Sequence, residues 1–296
     1  MIPLALVTGF LGSGKTSFLK HTVAHYRDRR LVYLVNEFSP LDVDGALVAD
    51  EEADVVAIPG GSIFCKCLVT EFIGQLWRIA RDYPDAEGVI IEASGMANPA
   101  VVGSMLHETK LDAIYELATV VAIVDPGSFL KLQHTLPNVA DQVRAAQVVL
   151  LNKTDCHDAA TLDTTETVLR GLNATAVLQR TTLGRTDVDL FAPASVAPDI
   201  DGDYAKCRDP NYRSEVLSAS ADVDLDQLAE SLRALGDDCY RAKGYLPSEG
   251  KLHFIDLSSS GLTITPTERL GTQGELALIL KGSAPEAATA AVKRVL

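Results

Sequence analysis

The sequence predicts an α/β fold: a mostly parallel sheet covered by helices on both faces, followed by a small C-terminal α+β domain. Three observations carry this. Short, almost wholly apolar runs alternate with amphipathic stretches through the first two-thirds of the 296 residues. Strands buried on both faces read this way, whereas a half-exposed antiparallel sheet would alternate apolar with polar. A glycine-rich stretch, GFLGSGKT (9–16), lies between the first apolar run and the first helix-like one. The rhythm then breaks at FAPASVAPDIDGDYAKCRDP (191–210), where three prolines, small residues and aspartates mark a linker.

Taken in order, the expected strands are LALVTG (4–9), LVYLVN (31–36), DVVAI (54–58), GVIIEA (88–93), ATVVAIVD (118–125), QVVLLN (147–152) and TAVLQ (175–179). Each except the second is expected to lead through a loop into a helix. Beyond the break come strand-like SEVLSAS, helical LDQLAESLRAL, then KGYLP, KLHFIDLS, GLTITP and GELALIL, and a closing helical APEAATAAVKRVL. Boundaries follow: a nucleotide domain over 1–195, a linker over 196–211 and an α+β domain with a mostly antiparallel sheet over 212–296.

Composition limits the function. A net charge of −14 argues against a grip on nucleic acid or on an anionic membrane. The apolar runs are too short to span a bilayer. The N-terminus, MIPLALVTGF, has no basic leader, and five cysteines do not read as a disulfide framework. A cytoplasmic location is expected.

GFLGSGKT fits G-x-x-x-x-G-K-[ST], preceded by a strand and followed by the helix-like KTSFLKHTVAHY. Glycines let backbone N–H groups turn inward around phosphate oxygens, and the helix adds its positive end. Gly12, Ser13, Gly14, Lys15, Thr16 and Ser17 are the expected phosphate contacts. Lys15 reaches the β- and γ-phosphates, and the Thr16 hydroxyl ligates Mg²⁺. Downstream, LLNKTD follows an apolar strand and matches N-K-x-D at Asn152, Lys153 and Asp155. A carboxylate there accepts from the ring N–H and the exocyclic amine of guanine, while the Lys153 stem lies along the purine face. Adenine lacks that donor pair, and a site that demands a hydrogen bond rejects the wrong ligand by about 10⁴-fold or more. The nucleotide read from these motifs is GTP.

In IIEASGMANP, Glu92 ends a strand where an acidic residue reaches Mg²⁺, and Gly95 has the spacing to contact the γ-phosphate. Met96 follows Gly95, so no glutamine is present to orient attacking water, and slow intrinsic hydrolysis is expected. Glu37, in NEFSPLDVDGAL, is the candidate for that task. Asp42 and Asp44 follow it as further candidates for metal contact. The expected catalytic set is Lys15, Glu37 and Glu92, with Thr16, Glu37 and Glu92 toward Mg²⁺.

These motifs, with VDP (124–126) and RAKGYL (241–246), resemble the CobW-type family of P-loop GTPases, over nearly the whole chain. The resemblance implies GTP hydrolysis coupled to delivery of a metal, or to insertion or activation of a metallocofactor, in a client metalloprotein, with corrinoid proteins within the family's breadth. The C-terminal domain would supply the client surface. The family's metal motif is Cys-x-Cys-Cys. Here Gly61-Ser62-Ile63-Phe64-Cys65-Lys66-Cys67 has Ser62 and Phe64 where its first two cysteines lie.

Cys65 and Cys67 are soft ligands for Zn²⁺, Cu(I) or Co²⁺, but supply half of a tetrahedral set. On a helix they diverge by about 200°, so they ligate together only if Cys65 precedes it. His107, Glu71, a substrate or the same site in a homodimer would complete the set. Packing and low-pKa redox chemistry are the alternatives for the pair. Cys156, Cys207 and Cys239 read as structural. Two other functions use the same phosphate loop: a small-molecule kinase, which has no need of N-K-x-D, and a GTP-gated regulatory module without catalysis.

Overall fold

The structure, a computed structural model, describes residues 1–37, 54–59, 68–192 and 212–296. Asp42, Asp44, Cys65, Cys67, Cys207 and the expected linker lie outside the described residues. The described residues fall into two compact units, the first ending at 192 and the second beginning at 212.

Seven parallel strands build the first unit: β1 (Ile2–Thr8), β2 (Leu31–Glu37), β3 (Asp54–Pro59), β4 (Gly88–Glu92), β5 (Tyr115–Val124), β6 (Val148–Leu151) and β7 (Val177–Arg180). Their order is β3-β2-β4-β1-β5-β6-β7. β1 sits centrally, with Val7 in register with Glu92 on one side and Val121 on the other. From β1 the chain goes to β2 on one side, while β4 crosses to β5 on the other. That reversal opens a crevice at the carboxyl ends of the strands, where ligands of such sheets bind.

The helices are α1 (Lys15–His25), α2 (Val69–Asp82), α3 (Val102–Glu108), α4 (Pro126–Leu132), α5 (Pro137–Arg144) and α6 (Ala159–Leu172). Phe18 and Leu19 of α1 are buried against Val7, Tyr33, Val35, Ile90, Val121, Ile123 and Leu150. Each such side chain contributes about 1.5–3 kcal/mol relative to exposure. Phe72, Leu76 and Ile79, spaced on one face of α2, are buried as well. The Tyr115 hydroxyl at the start of β5 donates to Leu76 O at 2.7 Å.

One expectation fails. β7 does not lead into a helix: residues 181–191 run irregularly along α1. Gly184, at φ +70°, lies so close to Phe18 that a Cβ would stand 2.8 Å from the Phe18 Cα. His21 Nε2 is 3.2 Å from Thr186 O, and Leu190 N donates to the Tyr26 hydroxyl at 3.0 Å. The segment's backbone groups find partners on Asn152 and its own side chains as well as on α1: Gly184 N donates to Asn152 Oδ1, Val188 N to Thr186 Oγ1 and Phe191 N to Asp189 Oδ1, so it needs no helical bonds of its own.

The second unit is an antiparallel sheet ordered β11-β10-β9-β12-β8, from β8 (Tyr212–Ala219), β9 (Cys239–Ser248), β10 (Lys251–Ser258), β11 (Gly261–Leu270) and β12 (Gly274–Lys281). One face packs Leu217, Leu246, Ile255, Leu276 and Leu278 against Leu228 and Leu232 of α7 (Leu225–Ala234) and Val292 of α8 (Ala290–Val295). Asp224 caps α7, accepting from Asp226 N and Gln227 N at 3.0 Å each. Among the described residues no helix is long and apolar enough to cross a membrane.

Candidate functional site

Residues 9–14 follow β1 at the carboxyl edge of the sheet. Gly9, Gly12 and Gly14 take φ of 146°, 77° and 111°, backbone that L side chains rarely adopt. Space forbids side chains too. A Cβ on Gly9 would stand 2.3 Å from Ile123 O, and one on Gly14 2.2 Å from Asn152 Nδ2. α1 begins at Lys15 with Gly14 as its N-cap and no side-chain cap, which leaves the positive end of the helix to the loop. Lys15 is 8% exposed, and its ammonium donates to Gly9 O at 2.9 Å and Phe10 O at 3.4 Å. It is held inside the cradle rather than extended into solvent. Thr16 is partly buried and Ser17 exposed on the first turn.

Glu92 ends β4 and is 1% exposed, while Ala93 N donates to Val7 O at 2.9 Å. The following turn, 94–97, touches the phosphate loop: a Cβ on Gly95 would meet Leu11 N at 2.7 Å and Leu11 Cδ2 at 2.6 Å. Two α5 side chains grip this turn. Gln142 Nε2 donates to Gly95 O (3.2 Å) and Ala97 O (3.0 Å), and Asn138 Nδ2 donates to Met96 O (2.7 Å). The hydroxyls of Thr8, Ser13 and Ser94 are buried with no hydrogen-bond partner among the described residues. A buried hydroxyl without a partner is costly in a finished core. Three of them around a glycine cradle with an ammonium inside fit an oxygen-rich anion and its counter-cation. Glu37 closes β2 opposite Pro59 in register, so its backbone reaches the same edge.

The third part follows β6. Asn152 is 1% exposed; its Nδ2 donates to Ser13 O at 2.8 Å and its Oδ1 accepts from Gly184 N at 2.9 Å. Lys153 takes φ 59°, and its ammonium lies 3.1 Å from Asp125 Oδ2. Asp125, after β5, is 2% exposed; its Oδ1 accepts from Gly127 N at 3.0 Å and lies 3.2 Å from His157 Nε2. Asp155 is exposed at the rim.

The fold therefore gathers Gly12 to Ser17, Glu92, Gly95, Asn152, Lys153 and Asp155 onto one edge of one sheet. His107 is an exposed side chain with Nδ1 2.8 Å from Asp112 Oδ2; the cysteine pair it was proposed to complete lies outside the described residues. Cys156 is exposed rather than packed, with Sγ 3.7 Å from Asp155 Oδ2; residual desolvation and that carboxylate raise its pKa. Cys239 fits the structural reading: burial pushes its thiol up to about 11. Sequence reasoning assigned no role to Asp125, Asn138, Gln142 or Asn36, though Asp125 stood in VDP and Asn36 opened NEFSPLDVDGAL. Only Asp125 carried a local signal, an aspartate before proline at a helix start.

A parallel sheet of this order, with a glycine loop turning into α1 and an Asn-Lys-x-Asp loop braced against it, defines a P-loop nucleotide-binding protein. Comparison with known proteins narrows the class. Residues 3–179 match the CobW/HypB/UreG nucleotide-binding domain, and the chain belongs to that family. It is 34% identical over 152 residues to zinc chaperone YeiR of Escherichia coli, a match covering 51% of this chain and 46% of that protein. It is 27% identical over 293 residues to zinc chaperone CobW of Pseudomonas aeruginosa, covering 84% and 78%. A third relative, zinc-regulated GTPase metalloprotein activator 1 of Schizosaccharomyces pombe, is 29% identical over 199 residues, covering 63% and 47%. The matches to YeiR and to the yeast protein thus span about half of those relatives' length.

Proposed function

We propose that the chain binds and hydrolyses GTP and couples that cycle to delivery of a metal, zinc first among the candidates, to a client metalloprotein. The observation that carries the nucleotide part is Asn152. One buried carboxamide joins the phosphate cradle at Ser13 O to the segment after β7 at Gly184 N, so that the purine loop and the phosphate loop form one rigid piece.

Each residue then has a task. The N–H groups of Gly12 to Ser17 and the Lys15 ammonium bind the β- and γ-phosphates. Asp155 accepts from the two donors of guanine while Lys153, tethered by Asp125, lies along the ring. Thr16 and Glu92, with Glu37, would hold Mg²⁺, which when bound screens charge developing on the phosphate oxygens. Glu37 orients the attacking water. With Met96 after Gly95, no glutamine shares that task, and turnover is slow.

The metal part rests on the names of the relatives and on Cys65 and Cys67, two soft ligands in the sequence. Co²⁺ at that pair, a corrinoid client and a homodimer that completes the ligand set are finer forms of the same reading. The second unit is the surface proposed for the client.

The test is zinc retention through one nucleotide cycle. Zinc-loaded protein should hydrolyse GTP in a single turnover and lose zinc to a chelator faster with GTP than with GDP. Glu37→Gln should slow hydrolysis, and Cys65→Ala with Cys67→Ala should abolish the zinc difference. Equal zinc loss with both nucleotides contradicts the coupling; an unchanged rate in Glu37→Gln removes its assigned role.

A further inference from the structure

Asn36 is the penultimate residue of β2, a polar side chain in the otherwise apolar run LVYLVN, and it is 2% exposed. Main-chain pairing of β2 with β4 ends one residue earlier, at Val35 with Glu92. Beyond that point the Asn36 side chain continues the connection on both sides. Its Oδ1 accepts from Ser94 N at 3.2 Å, and its Nδ2 donates to Ile58 O, its register partner on β3, at 2.9 Å. The nitrogen faces a carbonyl and the oxygen faces an N–H, so the network fixes the orientation of the amide. No other side chain of this size offers a donor and an acceptor in that relation. Aspartate would set a carboxylate against Ile58 O, and leucine would remove both the acceptor for Ser94 N and the side-chain donor to Ile58 O.

Ser94 lies between Glu92 and Gly95. The turn it belongs to is held from the α5 side by Gln142 and Asn138 through the oxygens of Gly95, Ala97 and Met96. Asn36 is the hold from the sheet side, and it acts on an N–H rather than on a carbonyl. With the turn pinned between β2 and α5, the backbone of Gly95 is kept against Leu11 of the phosphate loop.

We propose that Asn36 is a positioning residue for GTP hydrolysis, fixing the Ser94–Gly95 turn at the place of the third phosphate by bridging that turn to β3. This rests on the GTPase reading above. Asn36 touches no phosphate; it acts through the turn. Its loss should therefore be felt by a triphosphate and not by a diphosphate, which has nothing at the γ position. A residue that merely stabilised the fold would weaken both alike.

The experiment compares Asn36→Ala and Asn36→Asp with the unaltered chain, measuring affinities for GDP and for a non-hydrolysable GTP analogue, and the single-turnover rate with GTP. The expected result is a fall of about 10–100-fold in the hydrolysis rate, the cost of misplacing a reacting group by about 1 Å. Analogue affinity relative to GDP should fall about 10-fold, with GDP affinity kept within about twofold in at least one variant. GDP binding also reports that the variants fold. An unchanged analogue-to-GDP ratio overturns the proposal, as does equal loss of both nucleotides in both variants, which would show a structural role. If the unaltered chain itself does not prefer GTP over ATP, it is the GTPase reading that fails; if it does and the variants keep its ratio, only the role of Asn36 falls.

Discussion

Asn152 and Ser13, 139 residues apart in sequence, are joined by a hydrogen bond of 2.8 Å from Nδ2 to the Ser13 carbonyl, and Gly14 beside it has no room for a Cβ because that same amide fills the space. The phosphate loop is thus shaped by its own glycines and by a side chain from the purine loop. The two loops proposed to recognise the base and the phosphates are built on one connection.

Replacing Asn152 by Leu leaves Ser13 O and Gly184 N buried without partners. Each costs about 1–3 kcal/mol, so unfolding free energy should fall by about 2–6 kcal/mol in urea denaturation. Nucleotide affinity should fall with it. A loss below about 1 kcal/mol would show that the two groups find other partners.

Asp125 tethers Lys153 and caps α4 through Gly127 N. Asp125→Ala removes a cap worth about 1 kcal/mol and frees Lys153, the lysine proposed to lie along the purine. Calorimetry should show GTP affinity reduced about 10-fold. Asp125→Asn has a single acceptor oxygen: kept on Gly127 N it preserves the cap, but an NH2 then faces the Lys153 ammonium, so stability should be kept better than in Asp125→Ala while GTP affinity still falls. Equal affinities in all three proteins would dissociate Lys153 from base binding.

Two glycines give opposite expectations. A Cβ on Gly95 meets the Leu11 backbone at 2.7 Å, so Gly95→Ala should cost about 1–3 kcal/mol and depress hydrolysis. Gly103 lies in α3 with nothing within 4 Å of a Cβ, and Gly103→Ala should stabilise by about 0.4–1 kcal/mol. Thermal unfolding of both variants separates close approach from simple chain entropy; the same sign for both would contradict the packing described.

The Cys156 thiol is exposed, with a raised pKa beside Asp155. Alkylation needs the thiolate, so its rate should rise with pH along a curve displaced upward from that of an ordinary cysteine. Because the sulfur lies 3.7 Å from the Asp155 carboxylate, bound GTP should slow alkylation of this residue while ATP does not. Peptide mass mapping reads the site directly. Protection by neither nucleotide would place the base elsewhere.

The sheet, its helices and the two nucleotide loops were legible because their signals are local: apolar strand runs, a glycine spacing, and an Asn-Lys-x-Asp after a strand end. Glu92 and Gly95 were proposed from the same kind of local signal. Asn36, Asn138 and Gln142 were not, because nothing near them in sequence says what they touch. Asn36 depends on β2 lying between β3 and β4 in a particular register, and Gln142 on α5 crossing the end of β4. Asn152 was legible as part of an Asn-Lys-x-Asp loop, while its bond to Ser13 O was not. The missing helix after β7 has the same origin: residues 181–191 find partners on α1 and on Asn152 as well as among their own side chains, and the distant ones leave no local pattern.

The central claim is that this edge of the sheet selects guanine through Asp155. Competition between GTP and ATP for the unaltered chain and for Asp155→Asn tests it most directly, with xanthosine triphosphate as the third ligand, since xanthine offers an oxygen where guanine has its amine and an amide can donate to it. The account predicts GTP preferred over ATP by about 10⁴-fold in the unaltered chain, and that preference lost with xanthosine triphosphate gaining in the variant. Equal binding of GTP and ATP by the unaltered chain, or a variant with unchanged selectivity, would contradict it.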